Sequence, residues 1–347
     1  MKTLSAKTQL ILVITAACLI VGGYYFWFWP SQVVNRSCVN TDIKTTEIKS
    51  SCFRAVNGTQ TTCGKENQPL VAVMVEDFLT SRPQSGLSSA QLVYEAPAEA
   101  YIPRFLALFD LSEGLPKIGP VRSSRPYYID LAIEYQSLYV HSGGSPAALE
   151  RLKTDKAVVD LNEFFGYNTD YFWRDATRQA PHNLYTSSAN LAQAVVDYKM
   201  SSTSNFRSWL FKDEAPATST FKMVKVWFSE ADLNYQVGWE YDIEENNYWR
   251  YHGDEQHKDD TNTAIKAKNV LVQVVKTKIL DEIGRKELDL SSGGKAYLFR
   301  DGQRIVGNWK KINNRTIFFD EFEKEVEFNR GNIWIELVPQ YTKLSME

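Results

Sequence analysis

The chain has 347 residues, with 39 Lys and Arg against 42 Asp and Glu, which gives a formal net charge of −3 and a pI near 5.9. This balance argues against a nucleic-acid partner, because a protein that binds phosphate backbones presents a basic face. The length is sufficient for one large or two ordinary domains.

The first segment, residues 1–30, predicts a cytoplasmic stub and a transmembrane anchor. Residues 8–29 carry no charge, and about 20 apolar residues suffice for a helix to cross a bilayer. Lys2 and Lys7 precede this run, which predicts a cytoplasmic amino terminus and an extracytoplasmic remainder. We therefore expect a single-pass protein of the cell membrane, which contacts the membrane through this helix.

A lipoprotein signal is the alternative for the same segment. Cys18 follows Thr15, Ala16 and Ala17, which partly matches the lipid-attachment pattern of bacterial signal peptides. Thr15 stands where leucine is usual, and Cys18 is followed by apolar residues instead of the polar tether that a lipoprotein needs. The length and the flanking residues favour the transmembrane helix.

Residues 31–68 are typical of an extracytoplasmic tether, since they are rich in Thr, Ser, Asn and Lys and lack hydrophobic periodicity. Cys38, Cys52 and Cys63 lie in this segment, and an extracytoplasmic setting permits a disulfide. Three cysteines leave one over, and the sequence does not decide the pair. Their spacing matches no zinc pattern, so we expect neither a metal nor a cofactor.

Two domains are predicted beyond the tether. Residues 69–212 mix short apolar strands with helical stretches, which is typical of an α/β domain. Residues 213–220 have the composition of a linker. Residues 221–347 contain short strands parted by turn residues, which predicts a mainly β domain built as an antiparallel sandwich or an open barrel.

Residues 92–183 set arginines, histidines and acids among residues that otherwise resemble protein interior. Buried charge is costly unless it is paired or meets a ligand, and several guanidinium groups together indicate a ligand that carries negative charge. The residues that we expect to bind this ligand are Glu95, Arg104, Arg122, Ser123, Arg125, His141, Ser145, Arg174, Arg178, His182 and Asn183.

The sharpest motif in this block is the loop at 118–126. A Gly-Pro turn is followed by Arg122 and Arg125 at the entrance to a predicted helix, which Ser123 or Ser124 could cap. A helix amino terminus combined with forked guanidinium donors would hold a phosphate or a carboxylate. In the alternative interpretation, both arginines form ion pairs that pin the fold. The acids available for such pairs are Glu95, Glu99 and Asp130.

Two further segments belong to this block. His141 ends a predicted strand and precedes two glycines and Ser145, which begins a helix, and open α/β sheets bind ligands at such strand ends. Residues 172–183 alternate arginines with rings and end in Pro-His-Asn. A catalytic triad is the enzymatic alternative, in which one of the two histidines joins Asp175 and either Ser142 or Ser145.

Residues 248–260 bring His252 and His257 close to several acids. Imidazole and carboxylate groups can bind a metal. The spacing matches no standard metal site, so we expect a polar hairpin loop here.

Several motifs together resemble the YerB-like proteins, a family of bacterial envelope proteins, often lipoproteins, with an amino-terminal and a carboxy-terminal domain of unknown function. The resemblance implies an extracytoplasmic location and a two-domain plan, and it brings no reaction or catalytic residue. The transmembrane segment departs from the lipid anchor that is usual in the family. The similarity covers about residues 69–339 and rests on the segments 81–87, 93–97, 104–107, 118–126, 141–146, 180–185, 253–259, 269–273 and 307–309.

From these observations we predict a membrane-anchored envelope protein that binds an anionic ligand through its arginine-rich site. The candidate ligands are a cell-wall glycan, a wall peptide and a lipid-linked phosphate. A first alternative is an envelope hydrolase or transferase that uses Glu95, Glu99, His141 or His182 as acid or base. A second alternative is a scaffold that recruits wall-synthesis proteins through the β-rich domain.

Overall fold

Extended strands dominate this protein, whose computed structural model describes residues 51–164, 168–215 and 221–347. Most strands coincide with runs rich in β-branched and aromatic residues, whose side chains fit a pleated, half-buried surface. In chain order the strands are β1 (Cys52–Phe53), β2 (Gln60–Thr61), β3 (Leu70–Glu76), β4 (Leu92–Glu99), β5 (Ile102–Asp110), β6 (Leu138–His141), β7 (Val159–Asn162), β8 (Trp173–Arg174), β9 (Leu184–Tyr185), β10 (Leu210–Lys212), β11 (Met223–Trp227), β12 (Gln236–Asp242), β13 (Asn247–His252), β14 (Glu255–Gln256), β15 (Lys266–Ala267), β16 (Asn269–Ile279), β17 (Lys286–Asp289), β18 (Gly294–Arg300), β19 (Gln303–Ile312), β20 (Arg315–Asp320), β21 (Glu327–Asn329), β22 (Ile333–Pro339) and β23 (Lys343–Met346).

The α-helices of the described residues are α1 (Pro126–Glu134), α2 (Pro146–Thr154) and α3 (Ser188–Asp197). As predicted, Ser145 caps α2, because its side chain accepts a hydrogen bond from the Ala148 N–H at 3.3 Å. The predicted serine cap of α1 is wrong. Arg125 occupies that position, and the Ser124 hydroxyl is instead bonded to the Tyr139 hydroxyl at 2.8 Å.

A sheet of eleven strands forms the centre of the molecule. Its order is β20-β19-β18-β16-β22-β4-β5-β3-β6-β7, and β17 pairs with β16. The strands β3, β6 and β7 run parallel to one another, and β22 runs parallel to both β16 and β4. The carboxyl ends of β3, β6 and β7 therefore meet at the same end of the sheet.

Both faces of the central sheet are covered. Ala72 and Met74 of β3 join the core that α1 and α2 complete, on one face. Val71, Val73 and Val75 point the other way, toward α3 and a second sheet of order β14-β13-β12-β11-β23 with β15 beside β13. A strand with two buried faces has no exposed alternate positions, which explains the continuous apolar run of β3.

The predicted two-part architecture is confirmed and strands predominate in it, but the α/β part and the mainly β part share one sheet. β22 of the second part lies beside β4 of the first, with Glu336 opposite Glu95 in register. The strands β16 to β20 thus extend the central sheet instead of closing a separate sandwich. Pairing with β22 satisfies the backbone groups that β4 would otherwise expose at a sheet edge.

The carboxyl end of the predicted tether is folded. Cys52 and Cys63 form a disulfide, which settles the pairing that the sequence left open. Val56 is buried in the core, and Arg54 Nε donates to Asp110 at 2.5 Å.

The predicted membrane span at 8–29, which includes Cys18, lies outside the described residues, as do Cys38 and most of the predicted linker, at 216–220. Within the described ranges, no helix combines the length and the hydrophobicity that crossing a bilayer requires.

Candidate functional site

Three segments that are distant in sequence meet in a cavity of about 240 Å³ at the carboxyl ends of β3, β6 and β7. We call this cavity the strand-end cleft. Its polar lining consists of Arg122, Ser123, Ser142, Gly143, Gly144 and Arg174. Its apolar lining consists of Val121, Leu149, Phe164, Pro181 and Leu184.

Backbone hydrogen bonds fix the two loops that form the polar side of this cleft. The Arg122 N–H donates to Met74 at the end of β3, at 2.9 Å, and the Arg122 carbonyl accepts from the Ser142 N–H at 3.1 Å. The Ser124 N–H donates to the Gly143 carbonyl at 3.0 Å. These bonds join the loop at 118–126, which we call the arginine loop, to the loop at 142–144, which we call the glycine loop, as a short ladder, so the cleft is preformed.

Gly119 sets the entry of the arginine loop. Its φ is +141°, and a Cβ at this position would lie 2.9 Å from the carbonyl oxygen of Leu184. A side chain would therefore push the loop away from β9, on the other wall of the cleft. The predicted Gly-Pro turn therefore sets the path of the backbone at the start of the loop.

Glu76, at the end of β3, is the acid around which the basic residues gather. Its side chain is only 2% exposed, and it bonds Arg122 Nε and lies 3.8 Å from Arg104 Nε and 3.6 Å from His182 Nδ1. Burial alone would raise the pKa of Glu76, but the contact with His182 and the charges of Arg104 and Arg122 lower it to about 2. The sequence analysis missed Glu76, although an acid that closes a continuous apolar strand was a signal for it.

Glu99 holds two more of the predicted arginines. It accepts from Arg104 Nη2 at 2.7 Å and pairs with Arg125 Nη2. The same arginines donate to the carbonyl oxygens of Ser123, at 3.0 Å, and Ser124, at 2.5 Å. Burial lowers the pKa of Arg125. Arg104 and Arg125 therefore hold the arginine loop and do not line the cleft. For Arg125, the pair with Glu99 is the one that the ion-pair interpretation anticipated.

His141 and Ser145, the two predicted residues that flank the glycine loop, are also structural. His141 is fully buried, with Nδ1 2.7 Å from the Gly143 carbonyl oxygen and Nε2 2.7 Å from Asp160 Oδ1. Ser145 caps α2. The predicted triad is not assembled, because Asp175 accepts from Lys117 Nζ at 2.8 Å and is hydrogen-bonded to neither histidine in the described structure.

On the opposite wall, Arg174 is half exposed and donates to Asn183 Oδ1 at 3.1 Å and to Glu163 Oε1 at 3.2 Å. Glu163 also accepts from the Ser142 hydroxyl at 2.7 Å. Asn183 thus positions Arg174. Arg178 lies outside the cleft lining and donates to the carbonyl oxygens of residues 81 and 83.

Glu95 lies in a separate buried network. Arg250 Nη2 donates to both of its carboxylate oxygens at 2.8 Å, and Trp334 Nε1 donates to it at 3.2 Å. Across the strand pair, burial and the charge of Glu95 raise the pKa of Glu336 well above the ordinary carboxyl value. Trp239 Nε1 donates to this second carboxyl at 2.8 Å. Glu95 is fully buried.

The expected polar loop at 248–260 has a buried part, since Tyr248, Arg250, His257 and Asp259 are buried, whereas residues 254–256, 258 and 260 are exposed. Arg250 Nη1 donates to His252 Nε2 at 2.8 Å and to His257 Nδ1 at 2.7 Å, so both ring nitrogens act as acceptors. His257 Nε2 then donates to Gln84 Oε1 at 2.8 Å. Burial lowers the pKa of His252 to about 3 and holds the pKa of His257 well below its ordinary value. The bonds of Arg250 to Glu95 and of His257 to Gln84 thus join the two parts of the protein.

Of the predicted ligand residues, the structure therefore brings Arg122, Ser123 and Arg174 to the cleft itself. Arg104, Arg125, His141, Ser145 and Asn183 hold the cleft loops, and His182 stacks on Phe78 with ring centroids 5.3 Å apart beside Glu76. Glu95 and Arg178 lie elsewhere.

Comparison with known proteins gives the family. Residues 57–201 match the model described as "Protein of unknown function (DUF3048) N-terminal domain", and residues 224–335 match its "C-terminal domain". The chain is 34% identical over 284 residues to "Putative lipoprotein YerB" of Bacillus subtilis (strain 168), which covers 81% of this chain and 84% of the relative. The crystal structure of YerB protein from Bacillus subtilis superposes with a TM-score of 0.76 at 31% identity, covering 84% of this chain and 99% of that one. The resemblance stated from the motifs is confirmed.

The same comparison overturns the predicted localisation as a single-pass membrane protein. The relative that shares most of the chain is described as a lipoprotein. A lipid-attached protein carries a modified cysteine in place of a membrane-spanning helix. The prediction of a transmembrane helix in residues 1–30 is therefore wrong. It gave more weight to the length of the apolar run than to Cys18, which lies within that run.

Proposed function

We propose that this chain, which belongs to the DUF3048 family with both its N-terminal and its C-terminal domain, binds an anionic ligand in the strand-end cleft. The observation that carries the proposal is the convergence of Arg122, Ser123 and Arg174 on one preformed cavity. Strand ends of α/β sheets are common ligand sites, and forked guanidinium donors suit a carboxylate or a phosphate.

The arginines of the cleft keep donors for a ligand. In the described structure Arg122 uses only its Nε for Glu76, which leaves Nη1 and Nη2 for the cleft. Arg174 donates one N–H of Nη1 to Asn183 and one N–H of Nη2 to Glu163, and each of these nitrogens carries a second N–H. The carboxylates beside them fix the guanidinium planes, so that little conformational freedom is lost when an anion binds.

The apolar wall limits the kind of anion. Val121, Leu149 and Leu184 also line the cleft, so a carboxylate or phosphate joined to an apolar group fits better than a free inorganic ion. Wall peptides and lipid-linked phosphates both have this chemistry, which is the reason that they remain our candidates.

Binding is favoured over acid–base catalysis by the positions of the titratable residues. Glu95 and His141 are fully buried and bonded within the protein, and Glu99 is paired to two arginines. A general base must reach the proton that it removes, either directly or through one water. Glu99 and His141 hold the loops of the cleft, and Glu95 lies in the separate buried network around Arg250.

We also propose lipid attachment at Cys18 and an extracytoplasmic folded part. Two observations support this: the lipoprotein description of the relative and the Cys52–Cys63 disulfide, since disulfides persist mainly in oxidising compartments. A lipid on this cysteine would place the folded part at the outer surface of the membrane, within reach of wall components.

The first test is a thermal-stability screen of the full chain with inorganic phosphate, pyrophosphate and N-acetylalanine. A ligand present at about one hundred times its dissociation constant should add about 2.7 kcal/mol of stability. Arg174→Gln should abolish the shift. Arg151→Gln is the matched control, because Arg151 pairs with Asp130 and Asp155 outside the cleft. Stabilisation that survives Arg174→Gln would place the anion elsewhere.

A further inference from the structure

A second concave surface lies between the end of α1, residues 205–207 and the turn that joins β19 to β20. It encloses about 600 Å³. We call it the amide groove, because Gln136, Asn205, Asn313 and Asn314 all line it. It shares no lining residue with the strand-end cleft.

The amides of this groove are available to a ligand. Gln136 Oε1 accepts from the Asn205 backbone N–H at 3.2 Å, which fixes one wall. In the described ranges, the side chains of Asn205, Asn313 and Asn314 make no hydrogen bond within the protein. An amide presents a donor and an acceptor in one plane, which matches a pair of neighbouring hydroxyls or an acetamido group.

The floor of the groove is an arginine with an unmet donor. Arg315 is 97% buried, with its Cζ 4.2 Å from the ring centroids of both Tyr135 and Trp209. Its Nη1 donates to Glu134 Oε2 at 3.2 Å, whereas Nη2 has no hydrogen-bond partner in the described structure. A buried donor without an acceptor is uncommon, but the Nη2 atom is enclosed by the protein, so Arg315 contributes to the floor of the groove and the amides are the groups that reach a ligand.

Charge and shape define the ligand class. Glu134 neutralises Arg315, and Arg207 pairs with Glu325, so the groove carries little net charge. Phe206 is half-buried and adds an aromatic surface to the lining. Planar amides beside an aromatic ring suit a sugar, which has hydroxyls on its edge and C–H groups on its face.

The groove continues into a second depression. Ile133 and Asn314 also line this adjoining depression, which encloses about 640 Å³ and is more polar. We infer that the amide groove binds an uncharged oligosaccharide, with one unit against Phe206 and the next ones extending along the adjoining depression. This site is independent of the strand-end cleft and of the anion proposed there.

The turn residues permit a sharp test by calorimetric titration of the full chain with chitotetraose and with cellotetraose. Asn313 and Asn314 have φ of +49° and +61°, so Asn313→Gly/Asn314→Gly removes both amides and retains the turn. We expect the wild type to bind at least one tetrasaccharide and the double variant to bind it at least tenfold more weakly. Asn262→Gly, at a φ of +64° on another turn, is the matched control and should bind like the wild type.

Two results would overturn this inference. One is the absence of a binding signal with both tetrasaccharides for the folded wild-type chain. The other is a double variant that binds as tightly as the wild type. A preference for chitotetraose over cellotetraose would support the acetamido contact, and equal binding would support recognition of the hydroxyls and ring faces alone. Phe206→Leu, which keeps an apolar side chain but removes the ring, should also weaken binding at least tenfold.

Discussion

Arg250 of β13 and Glu95 of β4, 155 residues apart in the chain, form an ion pair in which neither side chain is exposed to solvent. The guanidinium also lies over the rings of Phe105 and Trp334, at 5.3 and 5.0 Å from their centroids. This pair joins the two family domains at the point where β22 and β4 share the central sheet. The unity of the fold thus depends on a buried polar contact as well as on the hydrophobic core.

Replacing Arg250 by methionine should destabilise the protein strongly. The change leaves the Glu95 carboxylate buried without its partner, and removing one member of a buried pair costs about 3–5 kcal/mol. Chemical denaturation would measure the loss in the free energy of unfolding. Arg304→Met, at an exposed position of β19, should change it by less than about 0.5 kcal/mol. The double variant Glu95→Met/Arg250→Met should recover part of the loss, and a double variant less stable than Arg250→Met would contradict this account.

The two histidines bonded to Arg250 should make the protein sensitive to mild acid. Their pKa values are lowered in the folded state, to about 3 for His252, so they stay neutral there while the unfolded chain takes up protons below pH about 6.5. The stability is therefore complete above pH 6.5 and falls as the pH decreases. Each histidine should contribute a slope of up to about 1.4 kcal/mol per pH unit. Urea denaturation between pH 8 and pH 5 measures this slope, and a flat profile would refute the neutral buried histidines.

Glu76 should add a second loss of stability at lower pH. Its folded pKa of about 2 lies below the ordinary value of 4.5, so its contribution is complete above pH 4.5 and is lost as the pH falls through about 2. This lowering of the pKa of Glu76 corresponds to about 3 kcal/mol in the free energy of unfolding. Glu76→Gln should lower the stability at pH 7 and reduce the acid dependence in that window. Equal acid dependence of the variant and the wild type would show that Glu76 is not the group that titrates.

Lipid attachment at Cys18 predicts a modified mature protein. Mass spectrometry of the chain isolated from a membrane fraction should find an amino-terminal peptide that begins at a diacylglyceryl cysteine. Cys18→Ala should abolish the modification, whereas Cys38→Ala should leave it unchanged. An unmodified peptide that contains residues 1–30 intact would rule out this mode of attachment.

The sequence predicts individual strands and helix starts better than it predicts how the strands pair. The apolar run at 70–75 and the Ser145 cap depend on local patterns, and both are present in the structure. The union of β22 with β4 could not be predicted, because strands buried on both faces give no signal for their partners. Most of β13 lies in 248–260, for which the sequence predicts a polar hairpin loop because the spacing matches no standard metal site. Arg250 and His257 of this segment are nevertheless buried. Only the distant Glu95 explains their burial.

In the candidate site, too, the local features were predicted and the contacts between distant residues were not. The arginine and glycine loops could be predicted because Gly and Pro mark the turns of the backbone and the arginines lie beside them in the sequence. Their roles could not be assigned, since Arg104 and Arg125 meet Glu99 whereas Arg122 meets Glu76, and such pairing depends on which strand ends coincide. A charge in the interior could be recognised, but its partner could not.

Calorimetric titration of pyrophosphate and N-acetylalanine into the full chain, compared between the wild type and Arg122→Lys and Arg174→Gln, tests the central claim most directly. Losing a charge-assisted hydrogen bond costs about 1.5–3 kcal/mol, so at least one probe should bind the wild type and each variant should bind it about tenfold or more weakly. Arg151→Gln should bind like the wild type. If neither probe binds the folded wild-type chain, or if both cleft variants bind as the wild type does, the strand-end cleft is not an anion site.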